Sequence, residues 1–351
     1  MASLHTKLAA RNTMRAALYP CLCVAVLAVA VGGCRKRNTQ LSVGVAFETL
    51  QTEYWVASFD IMKAELERNN IRTIEAISDG DANRQLEQVK SFVARGVDGI
   101  IVAPKDAFTV IPMIKAANRA GIPIVIYNRP PAPSKARSVT VGTDNFGITK
   151  NTVEHLCELA RKTPPPVGTK HEALLVMGDL GDINAIGRRD GFLKAAEGCS
   201  DVVEVVSRVP SEWNQEKALA GVTNGLQAHP NISFMFTSSD FLLPSIMSAL
   251  KAAGKWEKSG HKNHVLLGAF DGDATAYDML KAGYLDADGV QDAYFQSKLS
   301  VAAILDMRAG KTVEALKLDP GLVINQNNID ANESRMWGAA IAKMKAAKPQ
   351  S

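Results

Sequence analysis

Polar and aromatic side chains stand at intervals along this chain, mostly just after short apolar runs. They combine carboxylates, amides, hydroxyls, guanidinium groups and aromatic rings. The set consists of Glu48, Thr52, Tyr54, Trp55, Asn128, Arg129, Asn184, Arg188, Trp213, Ser239, Asp271 and Gln291. Aromatic faces can cover the C–H faces of a sugar ring, while the polar groups bond its hydroxyls in a site closed to water. The pattern therefore indicates recognition of a small polyhydroxylated ligand.

Sequence motifs for catalysis are absent. The chain has no G-x-S-x-G nucleophile elbow, no P-loop and no H-E-x-x-H motif. The segment Gly178-Asp179-Leu180-Gly181 joins a predicted strand to a predicted helix, but its spacing misses G-x-G-x-x-G and favours a tight turn. We therefore predict that the protein is not an enzyme and uses no cofactor.

Two segments contain residue types that can bind metal ions. The run from Asp79 to Asn83 matches the opening of a calcium loop, but Lys90 stands where a chelating Glu is needed. A turn that caps the next helix is the better interpretation. His261 and His264 lie in a polar loop with no Cys or third His nearby in sequence, which favours a solvated surface. We predict no metal site.

The elements that must position the candidate side chains alternate between strand and helix. Apolar β-rich runs separated by helical stretches fall at 41–47, 71–77, 97–103, 122–127 and 138–142. A helix is predicted at 146–162, and further strands are predicted at 173–177, 202–209, 232–237, 265–270 and 287–290. The chain then ends with a predicted helix at 293–309, a strand at 322–325 and a helix at 333–347. Strands that are apolar nearly throughout are typical of parallel sheets joined by crossover helices. The pattern predicts two doubly wound α/β lobes, which bind ligands at the carboxyl ends of their strands.

The N-terminus has the features of an export signal. Its charged residues are all basic: Lys7, Arg11 and Arg15. An apolar run at 16–31 follows, and the small residues before Cys34 look like a lipobox, the signal that is cut before a lipid-bearing cysteine. We predict a lipoprotein signal peptide at 1–33, a tether at 34–40 and lipidation of Cys34. A plain signal peptide or an N-terminal anchor is the alternative.

Charge and length narrow the class of protein. A length of 351 residues is typical of a protein with about two domains. Of 40 Lys and Arg residues, three belong to the predicted signal, so 37 basic side chains remain against 36 acidic ones. A nearly neutral body lacks the basic surface that nucleic acid requires, so we predict no nucleic-acid partner.

Two cysteines remain after export. Cys21 and Cys23 leave with the predicted signal and Cys34 carries lipid, so Cys157 and Cys199 are left. In an oxidising compartment two thiols can pair, but the sequence does not show that their Cα atoms are close enough. A disulfide and two buried free thiols both stay open.

Several motifs together resemble a known family. In order they are Tyr54-Trp55, Pro123–Arg129, Val141–Asn145, Asn184–Phe192 (N-A-x-x-R-x-x-G-F), Phe270-Asp271-Gly272 and Gln291. The chain from about 41 to 325 is similar to the ribose-binding-protein-like periplasmic sugar-binding proteins, which supply ABC transporters. The resemblance implies a type I periplasmic binding fold, in which two doubly wound lobes are joined by three crossings near Thr143, Gln291 and Gly321. The implied lobes are 41–142 plus 292–321 and 143–291 plus 322–351.

The resemblance also implies a function and roles. The protein would be a monomeric lipoprotein of the bacterial periplasm or cell envelope that captures a monosaccharide, a pentose or hexose, and delivers it to an ABC transporter permease. Tyr54 or Trp55 and Trp213 would sandwich the sugar ring. Arg129 and Arg188 would donate hydrogen bonds, Glu48, Asn128 and Asp271 would accept them, and Gln291 would read the ligand at the hinge.

Three departures from the family pattern bear on the ligand. Asn128 stands where the ribose binders usually have Asp, Ser239 where Asn is usual, and Glu48 where a smaller polar residue is usual. Another pentose, a hexose or a cyclitol is therefore as plausible as ribose. A sensor that presents the ligand-bound lobes to a membrane receptor kinase is the alternative to transport.

Overall fold

The computed structural model of the chain describes residues 40–165 and 167–347. The predicted signal peptide, the lipidation site Cys34 and the tether up to residue 39 lie outside the described residues. Within the described ranges, no helix is long and apolar enough to cross a membrane.

Strands and helices mostly alternate along the described chain, although the fourth and fifth strands, and likewise the last two strands, follow each other directly. The strands are β1 (Ser42–Phe47), β2 (Arg72–Ile77), β3 (Gly99–Ala103), β4 (Ile124–Tyr127), β5 (Val139–Thr143), β6 (His171–Met177), β7 (Val203–Pro210), β8 (Ile232–Thr237), β9 (Leu266–Asp271), β10 (Ala287–Val290), β11 (Leu316–Asp319) and β12 (Leu322–Asn325). The helices are α1 (Glu53–Arg68), α2 (Ala82–Ala94), α3 (Val110–Arg119), α4 (Asn145–Lys162), α5 (Ile183–Gly198), α6 (Gln215–Ala228), α7 (Leu243–Ala252), α8 (Ala274–Ala282), α9 (Ala293–Arg308), α10 (Ile329–Asn332) and α11 (Trp337–Ala347).

The strands form two six-stranded sheets, ordered β11-β5-β4-β3-β1-β2 and β12-β10-β9-β8-β6-β7. The pairings are parallel except for β12, which runs antiparallel beside β10. In the first sheet the register brings Phe47, Ile77 and Ala103 level at the carboxyl ends. The arrangement confirms the predicted fold class, two doubly wound parallel-sheet lobes.

Each sheet is covered by apolar side chains on both faces. In β3, Ile101 belongs to the cluster formed with α1 and α9, whereas Ile100 and Val102 belong to the cluster formed with α2 and α3. All three are fully buried, and burial of such a side chain stabilises the fold by about 1.5–3 kcal/mol. The nearly continuous apolar runs in the sequence follow from this two-sided burial.

The chain passes between the sheets three times: after β5, after β10, and between β11 and β12. One residue connects all three crossings. The buried carboxylate of Asp319 accepts hydrogen bonds from the backbone N–H groups of Asp292 (2.6 Å) and Gly321 (2.8 Å). The backbone carbonyl oxygen of Asp319 accepts a third from the N–H of Asp144 (2.9 Å). The crossings are therefore joined into one hydrogen-bonded hinge.

One edge strand and the start of the last helix differ from the sequence-based prediction. Strand β11 was not predicted, because it is only four residues long and alternates apolar with charged residues, and Leu316 and Leu318 are about half exposed at the sheet edge. The last helix begins at Trp337 rather than 333, because Glu333–Arg335 form a separate 3-10 turn. The predicted cap between Asp79 and Asn83 is confirmed: the Asp81 carboxylate accepts from the N–H of Asn83 at 2.8 Å.

The prediction of a solvated surface was wrong for one histidine. His264 has a side chain that is only 7% exposed, and its Nε2 lies 2.8 Å from the carboxylate of Asp286. His261 is 46% exposed. The sequence could not reveal the partner of His264, because Asp286 stands 22 positions away, immediately before β10.

Cys157 and Cys199 are joined by a disulfide in this structure, with Cα atoms 6.0 Å apart. The bond connects α4 to the end of α5. These helices also approach closely at Gly191, where an added Cβ would lie 2.5 Å from the carbonyl oxygen of Phe146. The pair therefore forms a tightly connected unit of the second lobe.

Candidate functional site

All of the ligand-binding side chains predicted from the sequence line one cavity of about 430 Å³. The cavity lies at the carboxyl ends of both sheets, between the lobes. Its further lining residues, which the sequence did not single out, are Thr49, Gln51, Gly80, Lys105, Asp179, Asp182, Glu212 and Phe241. The topology explains this convergence, since the carboxyl ends of parallel strands meet at one edge of a sheet.

A salt bridge forms the first-lobe side of the cavity. Arg129 Nη1 donates to the Glu48 carboxylate at 2.7 Å and to the carbonyl of Pro104 at 3.1 Å. The guanidinium carbon lies 5.1 Å from the centre of the Trp55 ring, and Arg129 Nε is 3.6 Å from Asp182 of the second lobe. Glu48 is 5% exposed and Arg129 19% exposed, so the two charges neutralise each other largely away from water.

A second salt bridge forms the opposite side. Arg188, on the first turns of α5, donates through Nη1 to the carbonyl of Ser238 at 2.7 Å and to Asp271 at 3.0 Å. Its Nε donates to the side chain of Asn145 at 2.7 Å, and its guanidinium carbon lies 3.7 Å from the Phe270 ring centre. In both arginines, Nη2 has no hydrogen-bond partner among the described residues, so it is free to donate to a ligand.

Asp271 is held by several donors at the end of β9. Its carboxylate accepts from Ser239 Oγ at 2.5 Å and from Gln291 Nε2 at 2.7 Å, besides Arg188. Burial raises the pKa of Asp271, although these three partners act in the opposite direction. Its φ of +141° is strained for a residue with a side chain, and such strain is concentrated at functional sites.

A chain of side-chain hydrogen bonds crosses the floor of the cavity. Asn128 adopts the left-handed φ of +67°, which Asn tolerates, and its Nδ2 donates to Tyr54 Oη (2.9 Å) and Gln291 Oε1 (3.2 Å). Asn128 Oδ1 accepts from Asn184 Nδ2 of the second lobe at 2.9 Å. Burial raises the pKa of Tyr54 well above its ordinary value, so its hydroxyl stays protonated.

Trp213 provides the aromatic surface of the second lobe. Its backbone is left-handed, with φ +58°, and its ring lies directly over Gly178, where an added Cβ would be 2.1 Å from a ring carbon. The predicted tight turn after β6 therefore needs glycine at this point. The Arg188 guanidinium carbon is 5.8 Å from the Trp213 ring centre. Thr52 completes the set at the position before α1.

Supporting residues were missed by sequence reasoning. Asn145 links Arg188 to Asn184, accepting at 2.7 Å and donating at 3.0 Å. It belongs to the quoted Val141–Asn145 motif, which was the available signal. Trp337 donates from Nε1 to the Asp271 carbonyl at 2.9 Å, and nothing in its sequence neighbourhood indicated this contact.

The cavity is equipped for hydrogen bonding and ring stacking. Guanidinium donors, carboxylate and amide acceptors and two tryptophan rings surround one space. Throughout residues 40–165 and 167–347, no group of three or more His, Cys, Asp or Glu side chains is placed to hold a metal ion.

Comparison with known proteins identifies the family. Residues 43–312 match the model described as periplasmic binding protein domain. The chain belongs to the periplasmic binding protein family. The family consists of non-enzymatic transport components, and the match confirms the resemblance inferred from the motifs.

Curated relatives in this periplasmic binding protein family recognise small ligands. The chain is 30% identical over 291 residues to a putative rhizopine-binding protein of Rhizobium meliloti, which covers 78% of this chain and 89% of that protein. It is 24% identical over 275 residues to the ribose import binding protein of Bacillus subtilis, covering 78% and 84% of the two chains.

Solved structures share the fold. A solute-binding protein of an ABC transporter from Bacillus halodurans with bound myo-inositol is 25% identical, with a TM-score of 0.73, and covers 84% of this chain and 98% of that one. A periplasmic solute-binding protein from Actinobacillus succinogenes with bound D-allose is 24% identical, with a TM-score of 0.75, and covers 83% and 100%. Homologues of this periplasmic binding protein therefore serve sugar and cyclitol ABC transporters.

Proposed function

We propose that this periplasmic binding protein captures an uncharged monosaccharide or cyclitol in the cleft between its lobes and delivers it to an ABC transporter permease. The observation that carries the proposal is the pairing of each cleft arginine with a buried carboxylate. Arg129 lies 2.7 Å from Glu48, and Arg188 lies 3.0 Å from Asp271. Both pairs are flanked by tryptophan rings.

The pairing selects for hydroxyl groups. Because each guanidinium charge is already neutralised, an anionic ligand gains little from the two arginines, whereas a hydroxyl can accept from a free Nη2 and donate to a carboxylate or amide oxygen. A site built this way also rejects ligands that lack the hydroxyl, because its buried polar groups are then left unpaired. Specificity would come from the spacing of Glu48, Asn128, Arg129, Arg188 and Asp271.

Capture would proceed by closure without chemistry. Both lobes contribute to the cavity, and Asn128 and Asn184 already meet across it at 2.9 Å. A ligand that contacts both lobes stabilises the closed arrangement by the difference between its interactions in the two states. Rotation about the three crossings would open the cleft.

The names of relatives support both ligand classes. The Bacillus subtilis relative is a ribose importer component, and the 25% identical Bacillus halodurans structure holds myo-inositol. Asn128, in place of the Asp usual in ribose binders, removes one charged acceptor and is compatible with either class.

We further propose that the protein is exported as a lipoprotein, anchored through Cys34 on the periplasmic or envelope side of a bacterial membrane, and acts as a monomer. The basic, apolar and small-residue order of the first 34 positions supports export. The family match supports a periplasmic site of action.

A thermal-shift screen of the full chain tests the proposed ligand class. The panel contains D-ribose, D-allose, D-glucose and myo-inositol, with D-glucuronate as the anionic control. A ligand at 100 times its Kd adds about 2.7 kcal/mol to the free energy of unfolding. We expect at least one neutral compound to raise the Tm and D-glucuronate to leave it unchanged. A preference for D-glucuronate would contradict the proposed selection for uncharged ligands.

A further inference from the structure

The C-terminal helix α11 lies beyond residues 43–312 that match the family model, and it packs against both lobes. Ala339 and Ala342 belong to the apolar cluster of the second lobe, with α7 and α8. Trp337, at the start of the same helix, belongs to the cluster of the first lobe. Ile341 contacts both clusters. The helix therefore connects elements that the sequence assigned to separate lobes.

Trp337 links two candidate ligand-binding residues from opposite lobes. It is 1% exposed, and its ring centre lies 5.9 Å from that of Tyr54 in the first lobe. Its Nε1–H donates to the backbone carbonyl of Asp271 in the second lobe at 2.9 Å. Trp337 thus supports the strained backbone of Asp271 and packs against Tyr54.

The backbone of α11 also lies directly on the start of α8. Gly338 N–H donates to the carbonyl of Gly272 at 2.9 Å. A Cβ at Gly338 would lie 2.1 Å from the carbonyl carbon of Asp273. This approach requires glycine, and it fixes α11 to the second lobe immediately beside Asp271.

Glu53 supplies the opposing connection from the first lobe. One carboxylate oxygen accepts from the backbone N–H of Ala274, the first residue of α8, at 2.8 Å. The other accepts from Lys345 Nζ of α11 at 2.5 Å. The first N–H groups of a helix have no intrahelical partner and carry partial positive charge. A carboxylate of one lobe therefore caps a helix of the other and pairs with the C-terminal helix.

We propose that α11 is a strap that holds the two lobes together through Glu53 and thereby increases ligand affinity. Because α11 and α8 belong with the second lobe and Glu53 with the first, opening of the lobes breaks both Glu53 contacts. Contacts made only in the closed arrangement raise the population of closed protein before ligand binds. Less of the binding free energy is then spent on closing the lobes, so the apparent affinity is higher. Glu53 is not among the described side chains lining the cavity, so it acts on closure rather than on the ligand. The effect on affinity rests on the proposed function.

Three single substitutions separate this role from general stability. Glu53→Ala removes both contacts, and Lys345→Ala removes the ion pair alone. Lys343→Ala is the matched control: this lysine is on the same helix, its side chain is 61% exposed against 63% for Lys345, and it pairs with Glu333 of the C-terminal segment at 2.6 Å.

The first readout is amide hydrogen exchange at Ala274 in the ligand-free full chain. We expect faster exchange in Glu53→Ala and Lys345→Ala and parent-like exchange in Lys343→Ala. The second readout is the Kd for D-ribose and myo-inositol by calorimetry. We expect Glu53→Ala to weaken binding by about three- to tenfold, the scale of a lost cap and ion pair, with Lys343→Ala unchanged.

The two readouts fail separately. If neither compound binds the parent, the proposed ligand class is in doubt, while exchange at Ala274 still tests the strap. Parent-like exchange at Ala274 in Glu53→Ala overturns the strap whether or not ligand binds. If exchange at Ala274 is faster in Glu53→Ala but the Kd of a compound that binds the parent is unchanged, the proposed effect of the strap on ligand affinity is overturned.

Discussion

Asn184 Nδ2 donates a hydrogen bond to Asn128 Oδ1 at 2.9 Å, although the two residues come from different lobes. Each stands just past the carboxyl end of a strand, Asn128 after β4 and Asn184 after β6 at the start of α5. This hydrogen bond directly connects the loops at the carboxyl ends of the two sheets. It defines the floor on which the paired arginines and the tryptophan rings converge.

Trp213→Ala tests whether this ring forms a wall of the binding site. We expect affinity to fall by about 1–3 kcal/mol, the scale for losing a buried aromatic contact, with little change in Tm because the ring faces the cavity. Trp256→Ala is the control, since this ring stacks on Tyr284 at 4.6 Å and does not line the cavity. Calorimetry and thermal melts on both variants give the comparison. A large loss of Tm in Trp213→Ala with unchanged affinity would assign the ring to the core instead.

Asp288→Asn tests the effect of a buried carboxyl on the pH dependence of stability. Asp288 is fully buried in β10, beside the equally buried carboxyl of Asp240. Burial, with nearby Asp273 and Asp271, raises the pKa of Asp288 well above its usual range. The folded protein therefore keeps a proton that the unfolded chain releases above about pH 3.9, so stability falls as pH rises from there toward the folded pKa.

We expect Asp288→Asn to reduce this fall and to raise the free energy of unfolding at pH 7 relative to the parent. Urea titrations between pH 4 and pH 8 measure it. Asp278→Asn, at an exposed position of α8, should keep the parent profile. An Asp288→Asn profile parallel to that of the parent would show that this carboxyl is ionised in the folded state.

The disulfide between Cys157 and Cys199 can be tested by thiol titration. After unfolding without reductant, we expect no free thiol from Cys157 or Cys199 in a thiol titration. Their bond closes a loop with a sequence separation of 42, so replacing both by Ala should lower the free energy of unfolding by about 2–4 kcal/mol. Recovery of two titratable thiols from the periplasmic protein would contradict the bond.

Lipid anchoring is tested at Cys34, outside the described residues. Cys34→Ala should move the protein from the membrane fraction to the soluble fraction without changing its ligand affinity, because the cleft lies in the following lobes. Cell fractionation and calorimetry on the released protein measure both quantities. A Cys34→Ala protein that stays with the membrane would favour an uncleaved N-terminal anchor.

Much of the fold and the cleft could be predicted because strand ends can be read from the sequence. Once 41–47 and 122–127 are recognised as buried parallel strands, Glu48 and Arg129 must lie at the same sheet edge. The partners within the cleft could not be predicted this way. That Glu48 pairs with Arg129, and Arg188 with Asp271, depends on side-chain directions and on the left-handed backbone of Asn128.

Contacts between distant segments account for the rest. Trp337 reaches Asp271 across 66 positions, and no periodicity in the terminal helix indicates such a contact. Strand β11 is a four-residue edge strand with exposed leucines, and its pairing with β5 ends at Asp319, which joins the three crossings. His264 looked solvated because its loop is polar, while its partner Asp286 stands 22 positions later, just before β10.

Calorimetric titration of the full chain with D-ribose, D-allose and myo-inositol, repeated on Arg188→Ala, tests the cleft assignment most directly. We predict that the parent binds at least one of them with one site per chain. We expect Arg188→Ala to weaken this binding by more than about tenfold, since it removes a cleft donor and the cationic partner of the buried Asp271 carboxylate. The same substitution should lower the free energy of unfolding by about 3–5 kcal/mol, so binding is compared at a temperature where the variant is folded. Parent-like affinity in folded Arg188→Ala would contradict the assignment of the ligand to this cleft.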